Sequence, residues 1–170
     1  CKNAITVGWL FSNEKIVENS GRGPTIDGRI KPELVAKGFR VLGLFPNNNL
    51  GELNGSSYSA PQISGLAALL YQKYKQQFAS VPNASLIKAI LSNTARDLGK
   101  FGPDYIYGFG KPDAYRATIS LNDNLFFEDN INQSAVKVHS ISVPSNTSQL
   151  KITLSWTDKE GSPIASKSLV

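Results

Sequence analysis

The 170 residues, 41% of them hydrophobic, suffice for one ordinary domain or parts of two and exclude a wholly disordered chain. The formal net charge is +5, but the 18 Lys and Arg are spread from Lys2 to Lys167 with no dense run and no interleaved aromatics, which argues against a nucleic-acid partner. No apolar stretch approaches the ~18 residues of a membrane span, and a single Cys and a single His exclude an internal disulfide and a Cys- or His-rich metal cage.

The chain begins at Cys1 and contains no Met, so this terminus is expected to come from processing or cleavage, with any targeting segment upstream. Ala4-Ile5-Thr6-Val7-Gly8-Trp9-Leu10 is a short, mostly apolar run that reads as a strand buried on both faces, the habit of parallel sheets. Residues 20–28 are rich in turn formers and read as a loop. Leu34-Val35-Ala36 and Arg40-Val41-Leu42-Gly43-Leu44-Phe45 are the next strand candidates, separated by Gly38.

A helical period follows. Ile63, Leu66, Ala67, Leu69, Leu70 and Tyr74 fall at helical spacings, and residues 63–70 are apolar or small almost throughout, which predicts a helix buried nearly all round. Pro61 fits only a first turn, so the helix is expected to start at about Ser59 or Ala60. Asn83 or Ser85 can cap a second helix whose stripe of Leu86, Ile87, Ile90 and Leu91 ends near Ala95.

Composition shifts at about Ser120. Leu150, Ile152, Leu154 and Trp156 alternate with Lys151, Thr153 and Ser155, as in an antiparallel strand with one wet face. Val136-Lys137-Val138 and Ile141-Ser142-Val143 alternate out of phase with each other, which suits a bulge near His139 and Ser140. The expected organisation is an α/β unit over 1–120 and the beginning of an antiparallel β-sandwich over 121–170, incomplete because ~50 residues are too few for a sandwich of ~100 and because the chain stops at Ser168-Leu169-Val170 without a turn or cap.

The chemistry-bearing segment is Asn54-Gly55-Ser56-Ser57-Tyr58-Ser59-Ala60-Pro61, between a strand-rich region and a buried helix. A serine just before a helix N-terminus has unpaired backbone N–H groups and the positive end of the helix dipole where an oxyanion would develop. Gly55 lets a substrate backbone approach closely. On these residues alone, an ordinary Ser-rich helix start competes with a catalytic role.

The surrounding motifs resemble the subtilases, peptidase family S8. Gly55-Ser56-Ser57-Tyr58-Ser59-Ala60-Pro61 is similar to that family's nucleophile motif. In the family's order stand Lys2-Asn3-Ala4-Ile5-Thr6-Val7-Gly8, Ser20-Gly21-Arg22-Gly23-Pro24-Thr25, Asp27-Gly28-Arg29-Ile30-Lys31-Pro32-Glu33, and Gly102-Pro103-Asp104-Tyr105 with Tyr107-Gly108-Phe109-Gly110. Leu150-Lys151-Ile152-Thr153-Leu154-Ser155-Trp156-Thr157-Asp158 resembles the start of the β-sandwich appended to the oxidatively stable alkaline protease type.

The resemblance implies a serine endopeptidase acting on protein or peptide substrates, with Ser57 as nucleophile and Asn54, Gly55 and Ser56 supporting oxyanion and substrate. In the family, His lies roughly 150 residues before the nucleophile, whereas 56 residues precede Ser57. The His, the Asp and the oxyanion Asn are therefore expected upstream, and the chain alone is expected to be inactive. His139 follows the nucleophile and reads as structural. Tyr58 stands where the family has an oxidation-prone Met, and Lys37 and Gln62 replace a frequent Pro and His. A second reading is a non-catalytic subtilase scaffold used as a binding module.

No cofactor is implied for the chemistry; calcium is frequent in the family, but no loop gathers enough carboxylates to assign a site. Secretion or a cell-envelope location follows from the resemblance. Asn54-Gly55-Ser56 is formally a glycosylation sequon at the active-site lip, which favours a bacterial source where that modification is uncommon. Half of a doubly wound sheet leaves an open edge and an uncovered helix face, so a partner is expected over residues 63–70: the N-terminal part of the same protease or a second copy.

Overall fold

The computed structural model describes residues 2–158, so the expectations attached to Cys1 and to the chain end at residues 168–170 lie outside the described residues. Two short strands, β1 (Val7–Leu10) and β2 (Leu34–Lys37), pair in parallel with Val7 opposite Leu34 and Leu10 opposite Lys37. Leu34, Val35 and Ala36 are all buried, as an apolar run without alternation requires when both faces of a parallel strand are covered. A hairpin follows. Its strands β3 (Val41–Phe45) and β4 (Asn49–Leu53) are antiparallel, and the turn between them uses Asn47 and Asn48 at φ of 63° and 57°, a region asparagine tolerates.

Three helices complete the unit. The long α1 (Ser56–Phe78) ends at Ala79, whose left-handed backbone lets its N–H donate to the Lys75 carbonyl. Helix α2 (Ala84–Thr94) starts after Asn83 and stops before Ala95, in agreement with the apolar stripe. Helix α3 (Ala114–Asn122) is capped by the Asp113 side chain, which accepts from the Arg116 N–H. Ile63, Leu70 and Tyr74 of α1, Leu86, Ile87, Ile90 and Leu91 of α2, and Ala117 and Leu121 of α3 form one core with Leu34 and Ala36 of β2. Each fully buried leucine contributes about 2 kcal/mol, so this cluster is the main apolar support of the unit.

Beneath that core sits Glu33, 4% exposed, which accepts from the Thr6 N–H and hydroxyl, both at 2.7 Å, from Lys88 at 2.9 Å and from Lys31. Burial pushes its carboxyl up, but the bonds from Lys31, Thr6 and Lys88 outweigh it and hold the group below the usual carboxylate range. Glu33 thus ties the entry to β1, the start of β2 and α2 together.

Two features depart from expectation. Helix α1 begins at Ser56, three residues before the earlier of the expected starts, with Pro61 inside it. The missing Pro61 N–H costs only the bond to the Ser57 carbonyl, and the turn is held from outside by β2. The helix is also not buried all round: Pro61, Ser64, Gly65, Ala68, Leu69 and Gln72, at helical spacing, form an exposed face, with Leu69 62% exposed. A two-stranded parallel sheet and two helices can cover only one side of it.

Beyond α3, Phe126 packs against Tyr74 and Phe78, with ring centroids 6.1 and 5.8 Å away. Among the described residues no hydrogen-bonded strand occurs after Asn122, so the alternating segments expected in the β-sandwich are present here as chain without ladder partners. Leu150, Ile152, Leu154 and Trp156 are exposed. Alternation assigns faces to a strand but does not provide the neighbouring strands that make it one.

Candidate active site

Gly55 is the N-cap of α1, at φ 139° and ψ 164°, a conformation open to glycine and strained for other residues. A Cβ at Gly55 would meet nothing closer than 3.9 Å, so the space above the turn is open. Ser56 and Ser57 follow as the first two helical residues, and both are exposed. At the second helical position the Ser57 N–H has no intrahelical acceptor and lies at the positive end of a 23-residue helix. Asn54 is exposed, and its side-chain oxygen accepts from the Arg40 N–H at 2.7 Å, which fixes the exit of the hairpin. Tyr58 N–H donates to the Gly55 carbonyl at 3.1 Å and closes the turn.

What holds this turn is the end of β2 together with Gly38, the residue that follows it. Three consecutive carbonyls there each accept a bond from the start of α1. The Ser59 hydroxyl donates to Ala36 at 3.1 Å, Gln62 Nε2 to Lys37 at 2.7 Å, and the Gly55 N–H to Gly38 at 2.8 Å. Ser59 is fully buried, so its bond is shielded from water. Gly38 in turn donates its N–H to the Leu10 carbonyl at 3.0 Å and connects the turn to β1. A Cβ on Gly38 would lie 2.4 Å from Ser59 Oγ and 2.7 Å from the Gly55 carbonyl oxygen, so the close approach needs glycine.

The four residues expected at the site, Asn54, Gly55, Ser56 and Ser57, are therefore contiguous on one hairpin-to-helix turn. His139 is not part of it; its ring stacks on Phe127 with centroids 4.6 Å apart in the segment after α3. Sequence reasoning missed Gly38, Ser59 and Gln62 as supports of the turn. A glycine directly after a buried strand was the one available signal. On the hairpin, Arg40 bonds Glu52 at 2.5 Å and holds that exposed carboxyl below its ordinary range. Among the described residues there is no group of three or more His, Cys, Asp or Glu that could hold a metal ion.

The model of the subtilase family matches residues 1–110. The C5a peptidase of Streptococcus pyogenes serotype M6 is 32% identical over 152 residues, covering 84% of this chain and 12% of that protein. A serine protease/ABC transporter B family protein, tagA, of Dictyostelium discoideum is 30% identical over 189 residues, covering 89% of this chain and 11% of its own length. Subtilisin DY of Bacillus licheniformis is 32% identical over 108 residues, or 64% of this chain and 34% of the subtilisin. Among solved structures, a lanthipeptide protease superposes with a TM-score of 0.61 at 28% identity, covering 69% of this chain and 41% of that one. The Clostridium perfringens CspB protease gives 0.61 at 29% identity, covering 70% of this chain and 27% of that chain.

A parallel strand pair, followed by a hairpin that enters a long helix through a glycine-capped turn with a serine at the helix's second position, defines a subtilisin-like α/β unit. The chain belongs to the subtilase family. It spans about an eighth of the length of the first curated relatives it matches.

Proposed function

We propose that the chain is the C-terminal part of the catalytic domain of a serine endopeptidase, with Ser57 as its nucleophile. The observation that carries the reading is the exposed Ser57 at the second position of α1, on a turn pinned beneath open space by the carbonyls of Ala36 and Lys37 in β2 and of Gly38 just after it. Ser57 Oγ attacks the scissile carbonyl carbon while a His outside this chain takes its proton and an Asp orients that His. The tetrahedral oxyanion is stabilised at the helix N-terminus by the Ser57 N–H and by an upstream Asn. Collapse breaks the C–N bond, the His returns the proton to the leaving amine, and water then hydrolyses the acyl-serine ester. Gly55 gives the substrate backbone room, and Asn54 and Ser56 border the same turn.

Protein or peptide chains are the substrates of this reading, and no cofactor takes part. Residues 121–158, which form no hydrogen-bonded strand here, are read as the beginning of an appended β unit; the C5a peptidase match supports this by reaching past the residues matched by the family model. The exposed face of α1 is covered by the N-terminal part of the same protease or by a second copy. An extracytoplasmic, bacterial protein is proposed. The streptococcal and Bacillus relatives support it, and no helix among the described residues is long and apolar enough to cross a membrane.

The test is peptide hydrolysis by the protease with its upstream residues. Ser57→Ala is expected to lower kcat by about 10⁴-fold or more, and unchanged turnover in that variant would overturn the assignment.

A further inference from the structure

Pro61 leaves the Ser57 carbonyl without the N–H that the fourth residue onward would normally supply, so the first turn of α1 lacks one of its own restraints at the nucleophile. The next residue, Gln62, supplies restraints of another kind. Its side-chain amide has two N–H bonds, and both have acceptors: the Lys37 carbonyl at the end of β2 and the Tyr58 carbonyl next to Ser57, each at 2.7 Å. Since both neighbours are acceptors, only the amide nitrogen can face them. Gln62 therefore bridges the strand to the residue that follows the nucleophile, beside the buried Ser59–Ala36 bond.

We propose that Gln62 is a positioning residue for Ser57, setting the angle at which the first turn of α1 presents the hydroxyl to the attacked carbonyl. The inference rests on the reading of Ser57 as nucleophile. Without the bridge the fold retains its core, because Gln62 is exposed and lies outside it. What is lost is orientation at the reacting atom, and orientation enters the chemical step more than ground-state binding. A group with a single N–H, such as imidazole, can keep one of the two bonds.

The experiment measures kcat and KM per titrated active serine in the protease with its upstream residues, for wild type, Gln62→Leu, Gln62→Glu and Gln62→His. The Leu and Glu variants, which cannot donate as the amide does, are expected to lose about tenfold in kcat with KM nearly unchanged, and His to recover to within about threefold of wild type. Glu at this exposed position keeps the protein measurable if Leu does not fold. A purely structural role would lower the melting temperature or the titrated fraction and leave kcat per site alone, and that result would overturn the proposal. A wild-type enzyme with no titratable serine would overturn the Ser57 reading itself and this inference with it.

Discussion

Tyr74 donates its hydroxyl to Glu128 Oε2 at 2.7 Å, and Glu128 Oε1 accepts from the Asn83 N–H at 3.2 Å and Asn83 Nδ2 at 2.8 Å. One carboxylate from the segment after α3 thereby joins α1 to the start of α2. Helix α2 has no side-chain cap of its own, so Glu128 places its negative charge where the helix dipole favours it.

Removing that carboxylate should loosen α2 and the Tyr74–Phe78–Phe126 aromatic cluster together. Glu128→Ala is expected to cost about 1–2 kcal/mol in urea denaturation. Tyr74→Phe in the Glu128→Ala background should cost less than in wild type, because the two changes remove the same bond. Additive effects would show that Tyr74 and Glu128 are independent.

Gly38 gives a prediction about the site. Ala at this position puts a methyl group within 2.7 Å of Ser59 Oγ, Trp9 Cβ and the Gly55 carbonyl oxygen, closer than such contacts permit. Gly38→Ala is expected to reduce kcat about tenfold or more through displacement of the Ser57 turn, and to destabilise by about 1–3 kcal/mol. Wild-type turnover in a Gly38→Ala enzyme would contradict the tight packing of β2 under α1.

The acid limb of stability follows from carboxylates whose folded values are depressed, Glu14 and Glu33 among them. Glu14 bonds Arg96 at 2.5 Å and Lys111 at 3.0 Å, and these bonds bring its carboxyl from 4.5 down to about 2. Glu33 is also held below 4.5. A depressed folded value means the stabilisation is fully present above the unfolded value and is lost as pH falls through the folded one. Melting temperature should therefore be flat above about pH 5 and fall steadily between about pH 4.5 and 2, with a shallower fall in Glu14→Gln. Glu33→Gln leaves two lysines facing a neutral amide inside the fold and should cost about 3 kcal/mol at neutral pH. A melting temperature that rises on acidification would reverse the assigned sign.

Tyr58 follows Ser57 directly, and the chain contains no Met. Thioether oxidation beside Ser57 is therefore absent from this chain, and the protease with its upstream residues is expected to keep most of its activity after a peroxide exposure that inactivates its Tyr58→Met variant. Equal loss in both would show that the neighbour of Ser57 does not govern peroxide sensitivity.

Much of this architecture is legible in the residues, for identifiable reasons. Leu34-Val35-Ala36 declares a doubly buried strand because nothing in it alternates, and the Leu86, Ile87, Ile90, Leu91 stripe declares α2 because nothing else produces that spacing. Strand β4 is not legible: Asn49, Gly51 and Glu52 are poor strand formers, and only pairing with β3 makes them one. Helix α3, nine residues long, has a weak apolar stripe, and Asp113 at its cap is its main signal. The start of α1 lies earlier than Pro61 as a first-turn residue implies, because the carbonyls of Ala36, Lys37 and Gly38 hold the turn before it in helix from outside. Such carbonyls carry no sequence signature. In the same way, the exposed face of α1 looks like core in the sequence, since composition records that a residue can be buried and not what covers it.

The proposed chemistry depends on Ser57 carrying the reactive hydroxyl. A fluorophosphonate probe applied to the protease with its upstream residues, followed by peptide mapping, measures this directly. One adduct is expected, on Ser57, absent from Ser57→Ala and poorly formed by residues 1–170 alone. An adduct on another serine, or none in an enzyme that hydrolyses peptides, would contradict it.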